Sequence, residues 1–339
     1  CISSAASDVY KRQIHHYFEE VIKIKKFDLT IIGGGPVGLF AARFAHLHGL
    51  KTVLFDSLSE TGGQPQMLYP FKKIKDIPAY DSITGTELID NLRHNLTDTT
   101  IFTNHKVENV TKQKDGFIID DIVASRSILI TTGAGAFKPK ALPLSMDDDT
   151  QKRIHYFIKD PPKFVGQTVG VFGGGDSALD LALELANYAN VKIIHRRNQF
   201  RGLESNVKKL KSLKNVEILT PYLPKQINLV DNQLNVNLKE MGKDSLTNIK
   251  LDQAVVAYGF KANNRFVKKW GIDLAGAQIK VNSTMQTNIA GVYAAGDVVT
   301  YLGRVPLIAL GFGEAQIAIT AIMRDLFPEK TLTIHSTSF

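Results

Sequence analysis

Two glycine-rich stretches, IIGGGPVGLFAA and VFGGGDSALDLA, stand 140 residues apart, Gly33 to Gly173, and constrain this chain more than anything else in it. The first lies in FDLTIIGGGPVGLFAARFAHLHGLKTVLFDS, which reads strand, glycine turn, helix, strand. Its LTII run is continuously apolar, as suits a strand buried on both faces of a parallel sheet. Gly33, Gly35 and Gly38 occupy the GxGxxG positions. In that pattern the first glycine permits a tight turn, the second lets backbone approach a pyrophosphate, and the third lets helix and strand pack closely. Pro36 opens the helix, whose N-terminus offers amide donors and a positive dipole to phosphates. Asp56 ends the second strand, where an acid accepts hydrogen bonds from a ribose 2′-hydroxyl.

The second segment, QTVGVFGGGDSALDLALELANYANVKIIHRR, repeats the order. Gly173, Gly175 and Ala178 fill the three positions, with Asp176 and Ser177 between them. Carrying the 140-residue offset forward makes Arg196 the counterpart of Asp56. A ribose bearing a 2′-phosphate would be repelled by an acid and bound by guanidinium groups. The first unit is therefore expected to bind FAD and the second NADP(H), with Arg196, Arg197 and Arg201 at the phosphate. The plainer alternative is that these arginines form a solvated face with Glu204. A single GxGxxG is weak evidence. Here each sits between a strand pattern and a helix pattern, and each ends on a chemically suitable residue.

The expected class is α/β, with two Rossmann-like, three-layer dinucleotide-binding domains. A chain of 339 residues has room for about two domains at ~150 residues each. Its 44% hydrophobic and 22% charged content is ordinary for a globular protein. No apolar run approaches the ~18–20 residues that span a bilayer. The single cysteine, Cys1, excludes an intrachain disulfide framework, a cysteine-rich zinc site and a CxxC pair, so no metal site is expected. That usage suits a cytoplasmic protein. The formal net charge of +8 suits steering toward an acidic partner or ligand. The positive residues are scattered without a nucleic-acid motif, so neither nucleic acid nor membrane is an expected partner. Residues 1–26 read as a tail. Its first stretch, CISSAASDVYKRQ, resembles a translated adapter remnant and not part of a fold.

Late in the chain, GVYAAGDVV runs a strand into Gly296-Asp297, before a helix pattern in PLIALGFGEAQIAITAIMRDLF. Such a turn offers Asp297 to ribityl hydroxyls and a helix N-terminus to a flavin pyrimidine carbonyl, where reduced flavin carries negative charge. This places the FAD domain at 27–137 plus 262–339, with the NADP domain at 138–261. TTGAGAFKPK and AYGFKANN are the expected crossings between them. Two linkers at a hinge would permit rotation that gates nicotinamide access.

IIGGGPVGLFAA, TGGQPQMLYP, TTGAGAFKPK, VFGGGDSALD, HRRNQFR and GVYAAGD occur in an order that resembles two-domain flavoprotein reductases of the thioredoxin-reductase type, over nearly everything after residue 26. Thioredoxin reductases carry a CxxC beside the second glycine motif, and this chain has none. With GGQPQMLYP, HYF at 155–157 and the tail HSTSF at 335–339, it is more similar to the thioredoxin-reductase-like ferredoxin–NADP reductases. The resemblance implies that Tyr69 stacks on the isoalloxazine and Gln64 lines the flavin. It implies that His335 covers the other flavin face from across a homodimer, with Ser336 near the reacting nitrogen. It also implies FAD contacts at Val107, Phe137 and Thr337. Residue 65 is proline, where the family more often has an apolar aliphatic residue.

The expected reaction is hydride transfer from NADPH to FAD, followed by single-electron steps to ferredoxin or flavodoxin. Flavin can exchange either one or two electrons, which is why it stands between the two carriers. No acid–base catalyst is required. The alternatives are an NADPH-dependent flavin or quinone reductase or oxidase, and, from another class, a non-catalytic NADP-sensing regulator.

Overall fold

The computed structural model describes residues 24–330 except 95, 97, 136, 137, 262 and 263. The adapter-like N-terminal residues, and the expected site residues Phe137, His335, Ser336 and Thr337, lie outside the described residues. The described residues form two compact units, those within 1–63, 90–135 and 263–339 making one and those within 64–89 and 136–262 the other.

The first unit opens with strand β1 (Lys25–Ile32), helix α1 (Pro36–Leu47) and β2 (Thr52–Phe55). It continues with β3 (Thr100–Phe102), β4 (Val110–Gln113), β5 (Gly116–Ile119) and β6 (Val123–Ile130). The sheet order is β3-β2-β1-β6-β5-β4. β1 pairs in parallel with both β2 and β6, and β2 is buried at all four positions, as a central parallel strand must be. The second unit carries β7 (Ile154–His155), β8 (Thr168–Phe172), α2 (Asp176–Leu185), β9 (Asn190–Ile194) and β10 (Val216–Leu219). An antiparallel meander of β11 (Tyr222–Val230), β12 (Gln233–Glu240) and β13 (Leu246–Leu251) leads into β14 (Gln253–Val256). The parallel sheet runs β7-β14-β8-β9-β10. β15 (Val292–Ala294) then rejoins the first sheet beside β6, pairing Val292 with Ile128, and α3 (Ile308–Leu326) follows. The apolar strands thus fall where the sequence puts them, and each glycine turn sits at the carboxyl end of a parallel strand.

The division by packing departs from the expected division by nucleotide over 64–89. That segment groups with the second unit because Phe71 packs on its core beside Leu179 and Val191, and Lys72 Nζ meets Asp180 Oδ2 at 3.0 Å. Pro65 is buried in a short helix, Gly63–Met67. The two expected crossings pair with each other: Pro139 stands opposite Phe260 and Lys138 opposite Lys261 in an antiparallel ribbon.

Candidate functional site

In the first unit, Gly33 has φ +112°, and a Cβ there would stand 2.6 Å from the Thr131 carbonyl oxygen at the end of β6. Thr131 Oγ1 also donates to the Gly33 carbonyl at 2.7 Å, fixing the turn. A Cβ on Gly38 would overlap the Gly33 carbonyl, so helix and strand close to backbone contact only because the position is bare. Gly35 is different. Its missing side chain would meet nothing nearer than Gly63 Cα at 4.0 Å, which leaves the turn's outer face open. Gly35 is the N-cap of α1 and Pro36 follows it, with no side-chain cap. The first amides of the helix are left for an anion.

Asp56 is only 6% exposed. Its Oδ2 accepts from the Gly34 amide and its Oδ1 from the Leu58 amide, both at 2.8 Å. Burial pushes the carboxyl above its usual range, and these two donors partly offset that. The loop after β3 is tied to the same place: His105 N donates to the Asp56 carbonyl at 2.9 Å, and Val107 follows with its side chain in the core. Arg93 Nε donates to Thr61 Oγ1 at 3.1 Å and so braces the loop that β2 runs into.

The structure brings Asp297 to this cradle. A Cβ on Gly296 would touch Val37, the residue after Pro36, at 3.2 Å, and one on Gly311 of α3 would collide with the same Val37. The first glycine turn, the Gly296-Asp297 turn and the start of α3 therefore converge, and α3 also begins without a side-chain cap. Asp297 is 46% exposed, with Oδ1 held by Arg304 Nη2 at 3.1 Å. Glu314 of α3, buried to 1% exposure, accepts from the Gly296 amide at 2.6 Å. Gln64 and Tyr69 are half-buried in the second unit. There a Cβ on Gly85 would stand 2.8 Å from the Tyr69 carbonyl.

The second unit repeats the turn with different chemistry. Gly175 is the N-cap of α2, again without a side-chain cap, and no atom stands within 4 Å of where its side chain would be. The register corrects the assignment of Arg196 as the counterpart of Asp56. Ile32 pairs with Phe55, and Phe172 with Ile194, so the residue that follows the strand is Asp56 in one unit and His195 in the other. The path from glycine turn to strand end is one residue shorter in the second unit, which a fixed offset cannot register. A Cβ on Gly174 would fall inside the His195 ring, just as one on Gly34 would meet Asp56 Oδ2 at 2.7 Å. His195 is 8% exposed, stacks on Phe200 at 5.4 Å, and has a buried Nε2 without a hydrogen-bond partner. Burial, joined by the charges of Arg201, Arg196 and Arg197, lowers its pKa. Burial therefore favours the uncharged ring, and the fixed cationic charge here belongs to the three arginines.

Those arginines are exposed, and the loop bearing them folds back onto the turn. Arg201 N donates to the Gly174 carbonyl at 2.8 Å, and Leu203 N to Asp176 Oδ1 at 2.9 Å. Asp176 therefore ties the arginine loop down, while Ser177 is exposed on the first turn of α2. Sequence reasoning missed Gly34, Gly174, His195, Arg304 and Glu314. The signals were present: a third glycine in each GGG, a histidine directly after an apolar strand, and a glutamate on the apolar stripe of the last helix.

The residues fit the two cofactors: an open glycine turn with a buried acid suits FAD, and an open turn with a guanidinium cluster suits NADP(H). Residues 27–322 match the family model described as pyridine nucleotide-disulphide oxidoreductase. Over 306 residues the chain is 73% identical to the ferredoxin--NADP reductase of Lactobacillus acidophilus, covering 90% of this chain and 99% of that one. The corresponding protein of Lactobacillus helveticus is 72% identical, covering 91% of this chain and all of its own. Among solved structures, Lactococcus lactis thioredoxin reductase in its FR conformation superposes with a TM-score of 0.71 at 25% identity, over 89% of this chain and 99% of that one. The thioredoxin reductase of T. acidophilum gives 0.71 at 26% identity, over the same shares. The chain belongs to the pyridine nucleotide-disulphide oxidoreductase family and groups there with the ferredoxin--NADP reductases.

Proposed function

We propose that the chain is an FAD-dependent ferredoxin–NADP reductase in which the first unit holds FAD and the second NADP(H). The observation that carries this reading is the opposite chemistry at one position of a repeated turn. A buried acid stands under Gly34, whereas a buried histidine followed by Arg196 and Arg197 stands under Gly174. Bound FAD supplies the conversion between two-electron exchange with a nicotinamide and one-electron exchange with an iron–sulfur protein. The chain's own residues bind and orient. The α1 amides and Gly35 take the FAD pyrophosphate, Asp56 the adenosine ribose, Asp297 the ribityl chain, and the α3 N-terminus the flavin's pyrimidine edge. The α2 amides and Gly175 take the NADP pyrophosphate, with Arg196, Arg197 and Arg201 on its 2′-phosphate. Because Cys1 is the only cysteine, electrons do not leave through a dithiol at the second motif.

The partner is a ferredoxin, and a chain of net charge +8 favours acidic acceptors in a salt-sensitive way. The resemblance adds a flavodoxin as a second acceptor and a homodimer, and the cysteine usage suits a cytoplasmic setting. Among the described residues no helix is long and apolar enough to cross a membrane. The test is anaerobic mixing of the FAD-loaded protein with NADPH, then with ferredoxin and cytochrome c. Bleaching of the flavin band by NADPH and cytochrome reduction that depends on ferredoxin are expected. Electron transfer to oxygen, free flavin or quinone that outruns transfer to ferredoxin would replace this reading with the oxidase or quinone-reductase one. A flavin that NADPH cannot bleach would leave the sensor.

A further inference from the structure

Beneath the Gly296-Asp297 turn lies a buried ionic group that the reaction as described does not require. Glu314 is 1% exposed and the Arg304 side chain 5%. Glu314 Oε1 accepts from Tyr301 OH at 2.8 Å and from Arg304 Nε at 2.9 Å, while Oε2 takes the Gly296 amide at 2.6 Å. Arg304 Nη2 then reaches out to Asp297 Oδ1 at 3.1 Å. Gly303, at φ +83°, makes this geometry possible, since it turns the chain between the fully exposed Leu302 and the inward-facing Arg304.

Stability does not account for the arrangement. Desolvating two charges offsets most of their attraction, and a well-packed apolar pair of the same volume commonly serves as well. Geometry does account for it. A guanidinium is a rigid planar fork, and one gripped at Nε by a buried carboxylate presents its other nitrogens in a fixed direction. Asp297, nearly half exposed, would otherwise sample several rotamers and lose that freedom each time a ligand binds. The same carboxylate that grips Arg304 also grips the Gly296 amide, so backbone and side chain of the turn are referenced to one point on α3.

The geometry points to Arg304 as a positioning residue, anchored by Glu314, that sets the Asp297 carboxylate in place for the ribityl hydroxyls of FAD. This rests on the reading of the Gly296-Asp297 turn as the ribityl site. The group does not touch the adenosine end, which belongs to Asp56 and Gly34. Arg304 therefore acts on the flavin half of the ligand alone.

The test uses FAD-stripped protein titrated with FAD by fluorescence quenching and, separately, with ADP by calorimetry. Arg304→Lys keeps the buried charge but replaces the planar fork, with its two separately directed nitrogens, by a single rotatable one. It is expected to weaken FAD roughly 3–10-fold, the scale of one side chain left to be ordered on binding, and to leave ADP affinity unchanged. Asp297→Ala is expected to weaken FAD at least as much. Arg304→Lys combined with Asp297→Ala is expected to bind FAD no worse than Asp297→Ala alone, because Arg304 acts through Asp297. Wild-type FAD affinity in Arg304→Lys, a matching loss for ADP, or additive losses in the double variant would each overturn the proposal while leaving the ribityl reading intact. Unchanged FAD affinity in Asp297→Ala would overturn the ribityl reading itself, and the role of Arg304 with it.

Discussion

The Gly34 amide donates to Asp56 Oδ2 at 2.8 Å across a space that any side chain on Gly34 would fill. The corresponding space beside Gly174 holds the His195 ring. Gly34→Ala and Gly174→Ala should therefore fail differently. Overpacking of this kind costs about 1–3 kcal/mol and shifts the neighbouring group. Gly34→Ala should purify with depleted FAD. Gly174→Ala should keep its FAD while the KM for NADPH rises. Flavin absorbance per chain and steady-state kinetics with NADPH separate the two. Equal loss of FAD in both variants would contradict the assignment of the two turns.

Arg196→Ala combined with Arg197→Ala should raise the KM for NADPH about 10–100-fold, the scale of one or two charge-assisted bonds, with little change for NADH. The discriminating number is the ratio of kcat/KM for the two nicotinamides. An unchanged ratio would remove the arginine loop from the 2′-phosphate.

Asp56 gives a pH dependence. Burial raises its folded pKa above the unfolded value of about 3.9, so the folded, FAD-free protein holds this proton more tightly than the unfolded chain does. Its contribution to stability is full below the unfolded pKa and is lost as pH rises through the folded one. Asp56→Asn carries no such titration. Urea denaturation of the two FAD-free proteins should show wild type losing stability relative to Asp56→Asn as pH is raised from about 4 upward. A constant difference over that range would rule out the raised pKa.

Tyr301→Phe removes one of the three donors to Glu314. Burial, with the bond to Glu314, raises the Tyr301 pKa to about 12, so the phenol remains a donor at neutral pH. Its loss should cost about 1 kcal/mol, or roughly 2–4 °C in a thermal melt. The other two donors to Glu314 remain, so ADP binding should not change.

The parallel strands and glycine turns were legible because a strand buried on both faces must be almost wholly apolar, and VGVF and, but for the buried Thr30, LTII are. The Gly296-Asp297 turn could be placed because the run GVYAA before it completes the same sheet. The counterpart of Asp56 was not legible. A constant offset assumes equal path lengths, whereas strand register, set by backbone pairing, dropped one residue and put His195 there. The packing of segment 64–89 with the other unit was not legible for a similar reason, since its few apolar anchors, Phe71 among them, identify a core only once that core is known. The Glu314–Arg304 group left only a faint trace, because a buried charge in a helix stripe looks like an interruption until its partner is seen.

β6 carries a division of labour along its length. Its earlier residues, such as Ala124, pair with β5, and its last, Ile128–Ile130, pair with β15, which arrives more than 160 positions later. During synthesis the first unit's sheet must wait with one flank uncovered until Val292 emerges, whereas every strand of the second unit's parallel sheet has been made by Val256. Nascent chains stalled before Val292 should present a finished second unit joined to an incomplete first unit. With FAD in the first unit and NADP in the second, as proposed, a truncated product of this gene would be a colourless protein that still takes up NADP.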